Sequence, residues 1–472
     1  MSFITIEYYI FLLFAVLLTC AIKIKFRWVI LLFASYLFYA SIHIEYSIVM
    51  LTSTVIAYFT AIMMYRVKKW RILFFCIGIL TDLSLLFFFK YFGFFLENVN
   101  LLFGADLDTN YSIAKNIILP IGISFYTFQS LSYTIDVFRR KREPERHFGY
   151  YALYISFFPQ LVAGPIERSE YLIPQLKNKV IPALNHFIQG GKLIIWGLFK
   201  KIVIADTIGT FVNHVFSNPS GYNSLEIALS VYAFAFQVYF DFSGYSNIAI
   251  GSAKMFGINL SMNFNSPLTS RTLTELWTKW HITLMTFFTT YIFRPLIKSG
   301  RFLHKWSSGA ILIVFFISGL WHGASWNFVL FGLVNGIVII IERKTKFARK
   351  IRQRQRKKNL SFVFNVLLIF YTLTILSFSS IWFKTGTFSE GIDILKHIGN
   401  FSFGNTHIRT VTYVIMLMLI GMAADYFRKN YLSTPFETIK HHYGRLTIYV
   451  MLIVMIVLYG NNNEVTFIYY QF

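Results

Sequence analysis

The chain has 472 residues, 56% of them apolar and only 14% charged, with a mean hydropathy of +0.56. Apolar runs near the ~20-residue spanning length recur from end to end, which excludes a water-soluble globular domain and predicts an all-α polytopic membrane protein. The formal charge of +23 arises from 44 basic against 21 acidic residues and is concentrated in loops; no soluble basic domain surrounds it, so nucleic acid is not the implied partner, whereas the lipid bilayer is.

Hydropathy places the first spans near residues 8–22, 28–42, 47–65, 72–96 and 116–138. The first lacks a preceding basic region and ends in Lys23 to Arg27, so it reads as a retained span and not as a cleaved signal. Lys23, Lys25 and Arg27, the cluster Arg66 to Arg71 and the cluster Arg139 to Arg146 mark cytoplasmic loops. The connection from Glu97 to Tyr111 carries Glu97, Asp106 and Asp108 without Lys or Arg, as expected on the far side, and the alternation puts the N-terminus outside. Cys20 and Cys76, within or at the edge of spans and without metal-ligand spacing, are predicted to be inert core thiols. Asp82 and Lys90 would share one helix face in a structural role.

The stretch 150–165 contains Pro159, Gly164 and Pro165 and is predicted to be bent or re-entrant, because broken backbone survives at membrane depth only under cover of protein or water. Further spans fall near 189–208, 226–250, 281–297, 309–321, 326–342, 361–383, 411–427 and 446–460, several too short or too polar to cross fully. Gly190-Gly191-Lys192 opens a helix and predicts close packing, not a nucleotide loop. Between Arg343 and Lys358 ten of sixteen residues are Lys or Arg, an orientation signal that would also touch anionic lipid. The organisation expected is one integral membrane domain over 1–472: N-terminal helices 1–147, a catalytic core 148–342, a basic cytoplasmic loop 343–360 and C-terminal helices 361–472.

Nine of the eleven histidines fall in loops or at span ends. His281 and His322 lie in apolar stretches, and each directly follows a tryptophan, Trp280 and Trp321, whose ring can exclude water and fix the imidazole. A neutral imidazole in such surroundings can take the proton of a hydroxyl as it attacks an activated acyl carbon. It can equally serve as a hydrogen-bonding group between helices, and the residues alone leave both roles open. The segment Tyr239 to Gly251 crowds Asp241, Ser243, Tyr245, Ser246 and Asn247 among small residues, which fits a water-accessible cavity or interhelical contacts. A metal is not expected, since His281 and His322 are 41 residues apart with no Cys or carboxylate cluster beside them.

With Asp241 to Gly251, Trp277 to Leu284 and Trp321 to Asn327 in view, the chain resembles the membrane-bound O-acyltransferase family, in particular its bacterial branch acting on cell-surface polysaccharides. The likeness also covers Ser35 to Tyr39, Leu119 to Gln129, Phe158 to Ile166 and the ending Phe467 to Phe472. It implies a barrel-like bundle of about 10–12 transmembrane helices with re-entrant helices and a central tunnel. It further implies His322 as the catalytic base with His281 as its partner, and Trp321, Trp280, Asp241, Ser243, Tyr245, Asn247 and Asn327 as substrate or tunnel-lining residues. Acetyl-CoA would be the cytoplasmic donor, with no bound cofactor. A cell-surface polysaccharide would be the acceptor, an SGNH-type extracytoplasmic transferase the partner, and the bacterial inner membrane the location. Where family members carry an Arg-Arg pair, an Arg-Asp pair, a Gly-Gly pair and an acid, this chain has Thr278 and Lys279, Thr289 and Thr290, Ile297 and Lys298, and Asn247, departures that fall on the donor side. D-alanyl transfer to teichoic acid is the alternative within the family. Outside it stands a glycan or lipid transporter with an intramembrane proton relay, against which the lack of an internal repeat counts.

Overall fold

The structure, a computed structural model, describes residues 1–104, 119–178, 182–298, 307–357, 360–402, 404, 406–428, 434–460 and 467–468. Asp106, Asp108, His304, Lys358 and the last four residues, on which sequence readings rest, lie outside them. Among the described residues every regular element is helical. Among the described residues seven helices are long and apolar enough to cross a membrane: Ile44–Arg66, Lys68–Phe103, Ser224–Met255, Trp326–Lys344, Phe362–Lys384, Ile408–Phe427 and His442–Gly460. Shorter apolar helices cover Ile6–Ala21, Ile282–Ile297 and Ser307–His322. This is an all-α, multi-pass membrane protein.

The chain forms two compact units, residues 1–194 with 248–261, and residues 195–247 with 262–472. In the first, α1 (Ile6–Ala21), α2 (Arg27–Ala40), α3 (Ile44–Arg66) and α4 (Arg71–Leu86) follow one another through short connections, and a widened turn at Phe87–Tyr91 continues α4 into α5 (Phe92–Phe103). Asp82 on α4 is buried, and one of its carboxylate oxygens accepts a hydrogen bond from Ser53 of α3 at 2.6 Å. After α6 (Ile123–Phe138) the chain breaks at Phe157, between α7 (Phe148–Ser156) and the single turn α8 (Phe158–Leu161). The break is covered and satisfied, as predicted for 150–165. The Phe158 N–H donates to Ser35 at 3.1 Å, the Gln160 amide donates to the Tyr154 carbonyl at 2.8 Å, and Tyr154 donates to the Glu167 carbonyl at 3.0 Å.

Cys20 and Cys76 correct one expectation: both are exposed, on α1 and α4, and are not core thiols. An apolar span is rewarded for facing lipid as well as for facing its own neighbours, so residence in a span does not fix the side. The next helices are α9 (Ser169–Lys177), α10 (Leu184–Leu198), α11 (Asp206–Ser217) and α12 (Ser224–Met255). In the first unit α10 meets the last turns of α12 with almost no space between backbones. A Cβ at Gly190 would lie 2.6 Å from the Gly251 carbonyl oxygen, and one at Gly251 would lie 2.6 Å from that of Gly190, which is the packing role expected of Gly190.

The second unit begins in the last residues of α10, continues through a widened turn, Phe199–Ala205, into α11, and includes α12 up to Asn247. Of the seven long helices α12 is the most enclosed, with 78% of its apolar window buried against 6% for the helix His442–Gly460. Then come α13 (Leu273–Lys279), α14 (Ile282–Phe288), α15 (Arg294–Lys298), α16 (Ser307–His322), α17 (Trp326–Lys344), α18 (Phe347–Arg356), α19 (Phe362–Ser379), α20 (Ile381–Lys384), α21 (Phe388–Gly399), α22 (Ile408–Phe427) and α23 (His442–Gly460). The hairpin of α16 and α17 is the tightest of these contacts. A Cβ at Gly319 would lie 2.3 Å from the Phe328 carbonyl oxygen, and one at Gly332 would lie 2.2 Å from that of Phe315.

These are backbone approaches, which a side chain cannot evade by changing rotamer. Gly332→Leu is therefore expected to destabilise the folded protein by about 1–3 kcal/mol or more, seen as a lower melting temperature in detergent. Gly399→Ala, where a new Cβ meets nothing within 4 Å, is the control and should melt like the wild type. Equal melting of Gly332→Leu and the control would show that this helix contact is not close in solution.

Candidate active site

The site is assembled in the second unit from α12, α13, α16, α17 and α20 and from the break between α13 and α14. Along α12, residues spaced three and four apart share a face, and Ala235, Val238, Tyr239 and Phe242 turn the same way. Tyr239 packs on Trp280 with ring centroids 5.8 Å apart, and Phe242 meets His281 edge-on at 4.8 Å. His281 sits in the break between α13 and α14 with φ +42°, in the left-handed region. Such a conformation costs about 1–3 kcal/mol and persists only where its surroundings impose it, and histidine is among the non-glycine residues enriched there. Here the strands of chain on either side are held. The Ile282 N–H donates to the Asn263 carbonyl at 2.8 Å, Thr283 donates to the Asn263 side chain at 2.6 Å, and the Asn265 N–H donates to the Lys279 carbonyl at 3.0 Å.

The opening of α13 is equally fixed. Thr272 caps it by accepting from the Glu275 N–H at 3.1 Å. The Glu342 carboxylate on α17 accepts from the N–H groups of Leu273 and Thr274 at 2.8 and 2.9 Å and from the Thr274 hydroxyl at 2.6 Å. In the middle of α13 the Trp277 indole donates to Asn335 of α17 at 3.2 Å. His322 closes α16, where the carbonyl end of the helix favours a positive charge arising on the ring. Directly after the Gly323–Ser325 turn, Ser325 caps α17 by accepting from the Asn327 N–H at 3.2 Å.

This framework brings both Trp-His pairs together. The Trp321 ring contacts His281 at 5.4 Å and His322 at 5.0 Å, nearly perpendicular to each. His322 also meets Phe383 at 5.2 Å and Phe331 at 5.9 Å. Both imidazoles are buried, His281 1% and His322 3% exposed. Beside His322 is a cavity of about 20 Å³ bordered by Trp277, Trp280, Phe331, Ser380 and Phe383, room for one water. The chemistry available is that of two imidazoles in an aromatic, nearly dry pocket, where electrostatic interactions are stronger than in water. Among the described residues, no group of three or more His, Cys, Asp or Glu is placed to hold a metal ion.

The other residues singled out in the sequence are distributed differently. Trp280 borders the cavity and packs on Phe264 at 5.5 Å. Asn327 donates to the Thr385 carbonyl at 2.9 Å, joining the hairpin to the end of α20. Asp241 lies on another face of α12 from Phe242: it pairs with Lys201 at 2.9 Å and accepts the Ile468 N–H at 2.8 Å. Lys201 also pairs with Asp206 at 2.6 Å. Ser243 accepts from Lys200 at 3.1 Å, and Tyr245 packs on Phe467 at 4.3 Å. Asn247, the last residue of α12 assigned to this unit, is buried. Tyr239 donates to Asp425. Sequence reasoning missed Lys200 and Lys201, although two adjacent cations inside an apolar span were a visible signal. It also missed Glu342, which accepts from backbone groups 69 and 68 residues away.

Residues 145–382, which include both histidines, match the model of the MBOAT, membrane-bound O-acyltransferase family. The chain belongs to the membrane-bound O-acyltransferase family. It is an acyltransferase, and the resemblance carried by the Trp-His blocks holds. It is 33% identical over 398 residues to the peptidoglycan O-acetyltransferase of Helicobacter pylori, covering 78% of this chain and 72% of the relative. To the probable alginate O-acetylase AlgI of Azotobacter vinelandii it is 34% identical over 328 residues, covering 68% of this chain and 64% of that relative, a little under two thirds of its length. To the teichoic acid D-alanyltransferase of Streptococcus thermophilus it is 28% identical over 252 residues, covering 50% of this chain and 60% of the relative.

The Asp241 network defines a prediction specific to this acyltransferase. Removing one partner of a buried ion pair costs about 3–5 kcal/mol, so Asp241→Ala should lower the melting temperature and the yield of folded protein. A variant that melts like wild type and yet transfers no acyl group would instead place Asp241 in the chemistry.

Proposed function

We propose that this acyltransferase moves an acetyl group from cytoplasmic acetyl-CoA across the bacterial inner membrane for O-acetylation of a cell-surface polysaccharide, with His322 as general base. The observation that carries the reading is the pair of buried imidazoles in contact with one indole, in a chain similar over most of its length to a peptidoglycan O-acetyltransferase and to a probable alginate O-acetylase.

In this mechanism His322 takes the proton from an acceptor hydroxyl while the hydroxyl oxygen attacks the thioester carbonyl. The carbon–sulfur bond then breaks, the new ester keeps the acetyl group, and the leaving thiolate recovers the proton from the imidazolium. The carbonyl end of α16 favours the charge that His322 carries between these events. His281 orients the thioester and polarises its carbonyl. Asn327, Trp321 and Trp280 shape the place where the two substrates meet, along a path joining the two sides of the membrane. The acetyl group passes to the polysaccharide with an SGNH-type extracytoplasmic transferase as partner. The similarity to a teichoic acid D-alanyltransferase favours one second reading, transfer of D-alanine from a carrier-bound thioester.

Transfer of labelled acetyl from acetyl-CoA, measured in nanodiscs with the partner present, tests the proposal. His322→Ala should lower the rate by about 10²–10⁴-fold, the usual worth of a general base, at an unchanged gel-filtration profile. His281→Ala should lose less. Full activity of His322→Ala sinks the mechanism, and equal losses reverse the assignment of roles. Wild-type protein that leaves acetyl-CoA untouched but consumes a D-alanyl thioester moves the chain to the second reading.

A further inference from the structure

The first unit buries a carboxyl that no step of the acyl transfer uses. Asp82 lies within the apolar helix Lys68–Phe103 and is 1% exposed. Gly78, one turn before it on α4, shows which helices meet there. A Cβ at Gly78 would lie 2.8 Å from the Thr60 hydroxyl oxygen of α3 and 3.3 Å from the Thr134 methyl carbon of α6. Moving along α4 from Gly78 to Asp82, the facing residues step back to Ser53 on α3 and to Ser130 on α6. Ser53 donates to one carboxylate oxygen at 2.6 Å, and Ser130 faces the carboxyl from the other side. Tyr151 of α7, fully buried, completes the layer with its hydroxyl toward Ser130.

This layer lacks both positive charge and hydrogen bonds. Among the described residues no lysine or arginine lies within ion-pair distance of Asp82. Its second oxygen and the hydroxyls of Ser130, Tyr151 and Tyr126, the last one turn from Ser130 on the same face of α6, are buried and make no hydrogen bond of ordinary geometry. Buried polar groups without partners are rare, and a carboxylate inside a membrane span is strongly disfavoured unless a positive charge accompanies it. Oxygens left over around one carboxyl are what a hard cation takes as ligands. The donor set contains no His or Cys, which suits an alkali or alkaline-earth ion and not a transition metal. One carboxylate balances one positive charge, whereas a divalent ion would leave a second charge uncompensated in the same apolar surroundings.

We propose that this layer binds a sodium ion between Asp82, Ser53, Ser130 and Tyr151, tying α4 to α3, α6 and α7. The Ser53 proton stays on the carboxylate, and the lone pairs of its oxygen remain for the ion. The close approach of the helices at Gly78 favours the smaller sodium over potassium. All four helices belong to the first unit, so the site is independent of which acyl donor the protein uses.

The test uses the full chain in detergent, freed of sodium in choline chloride and titrated with sodium chloride at constant ionic strength. Melting temperature and binding of radiolabelled sodium are read together. The wild type should show a saturable rise in melting temperature, because a ligand of the folded state stabilises it by mass action, and the label should bind over the same range. Asp82→Asn, which keeps the shape and removes the charge, should bind no label and melt at one temperature throughout. Ser130→Ala should need about tenfold more sodium or higher, the usual order of loss when a group around a bound metal is removed. Ser132→Ala removes a hydroxyl that donates to the Gln129 carbonyl on another face of α6, and should titrate like the wild type. Should Asp82→Asn fail to fold, the two serine variants decide, and equal midpoints for them overturn the site. A wild type indifferent to sodium overturns it too and leaves Asp82 neutralised by a proton. Sodium dependence retained in Asp82→Asn puts the ion elsewhere, and equal stabilisation by calcium overturns the single-charge assignment.

Discussion

One indole edge against two imidazoles is the contact on which the arrangement depends. Trp321 reaches His281 and His322 from a position that needs three separate backbone features: the end of α16 at His322, the left-handed residue between α13 and α14, and the aromatic stripe of α12 behind them. Each is fixed by groups outside the two Trp-His pairs. The close glycines of the α16–α17 hairpin set the first, the Asn263 hydrogen bonds hold the second, and the Asp241–Lys201 ion pair on another face of α12 anchors the third. The left-handed backbone at His281 is held in place by these neighbouring hydrogen bonds.

The charges buried in the same unit follow from the solvent. Hydrocarbon satisfies no ion, so Lys201 is held by both Asp206 and Asp241, and Asp241 spends its second oxygen on the Ile468 N–H. The consequence reaches the site. Phe467, next to that anchored amide, packs on Phe242 at 5.7 Å, and Phe242 is the ring against His281. An ionic cluster that is costly to bury thus has a return in specificity, because it fixes the register of α12 against the end of the chain.

Much of this was legible in the sequence, and the failures have physical causes. The Trp-His blocks could be found because a titratable ring in an apolar run is a rare event, and the break near Pro159 could be found because proline and glycine interrupt helices regardless of context. Asp241 was grouped with Ser243, Tyr245 and Asn247 as one polar patch, yet adjacent helical residues point about 100° apart, and Asp241 turns to Lys201 while Phe242 turns to His281. Hydropathy alone cannot choose between lipid and protein as the apolar neighbour, which is why Cys20 and Cys76 were placed inside. Glu342 was invisible for a different reason. Two of its partners are backbone N–H groups, which no side-chain pattern announces.

Glu342 shows how a single helix can govern both histidines. The N-terminal half of α17 packs against α16 and so fixes the helix that ends in His322. Its middle holds Trp277 through Asn335, which is itself tied to Ser379 at 3.0 Å, and its C-terminal end caps α13 through Glu342. A helix of 19 residues is a rigid rod at this scale, about 28 Å at ~1.5 Å per residue. Its two ends therefore set the distance between the element bearing His322 and the element leading to His281. A carboxylate buried at a helix N-terminus is stabilised by the N–H groups it accepts, so the clamp needs no lysine or arginine of its own.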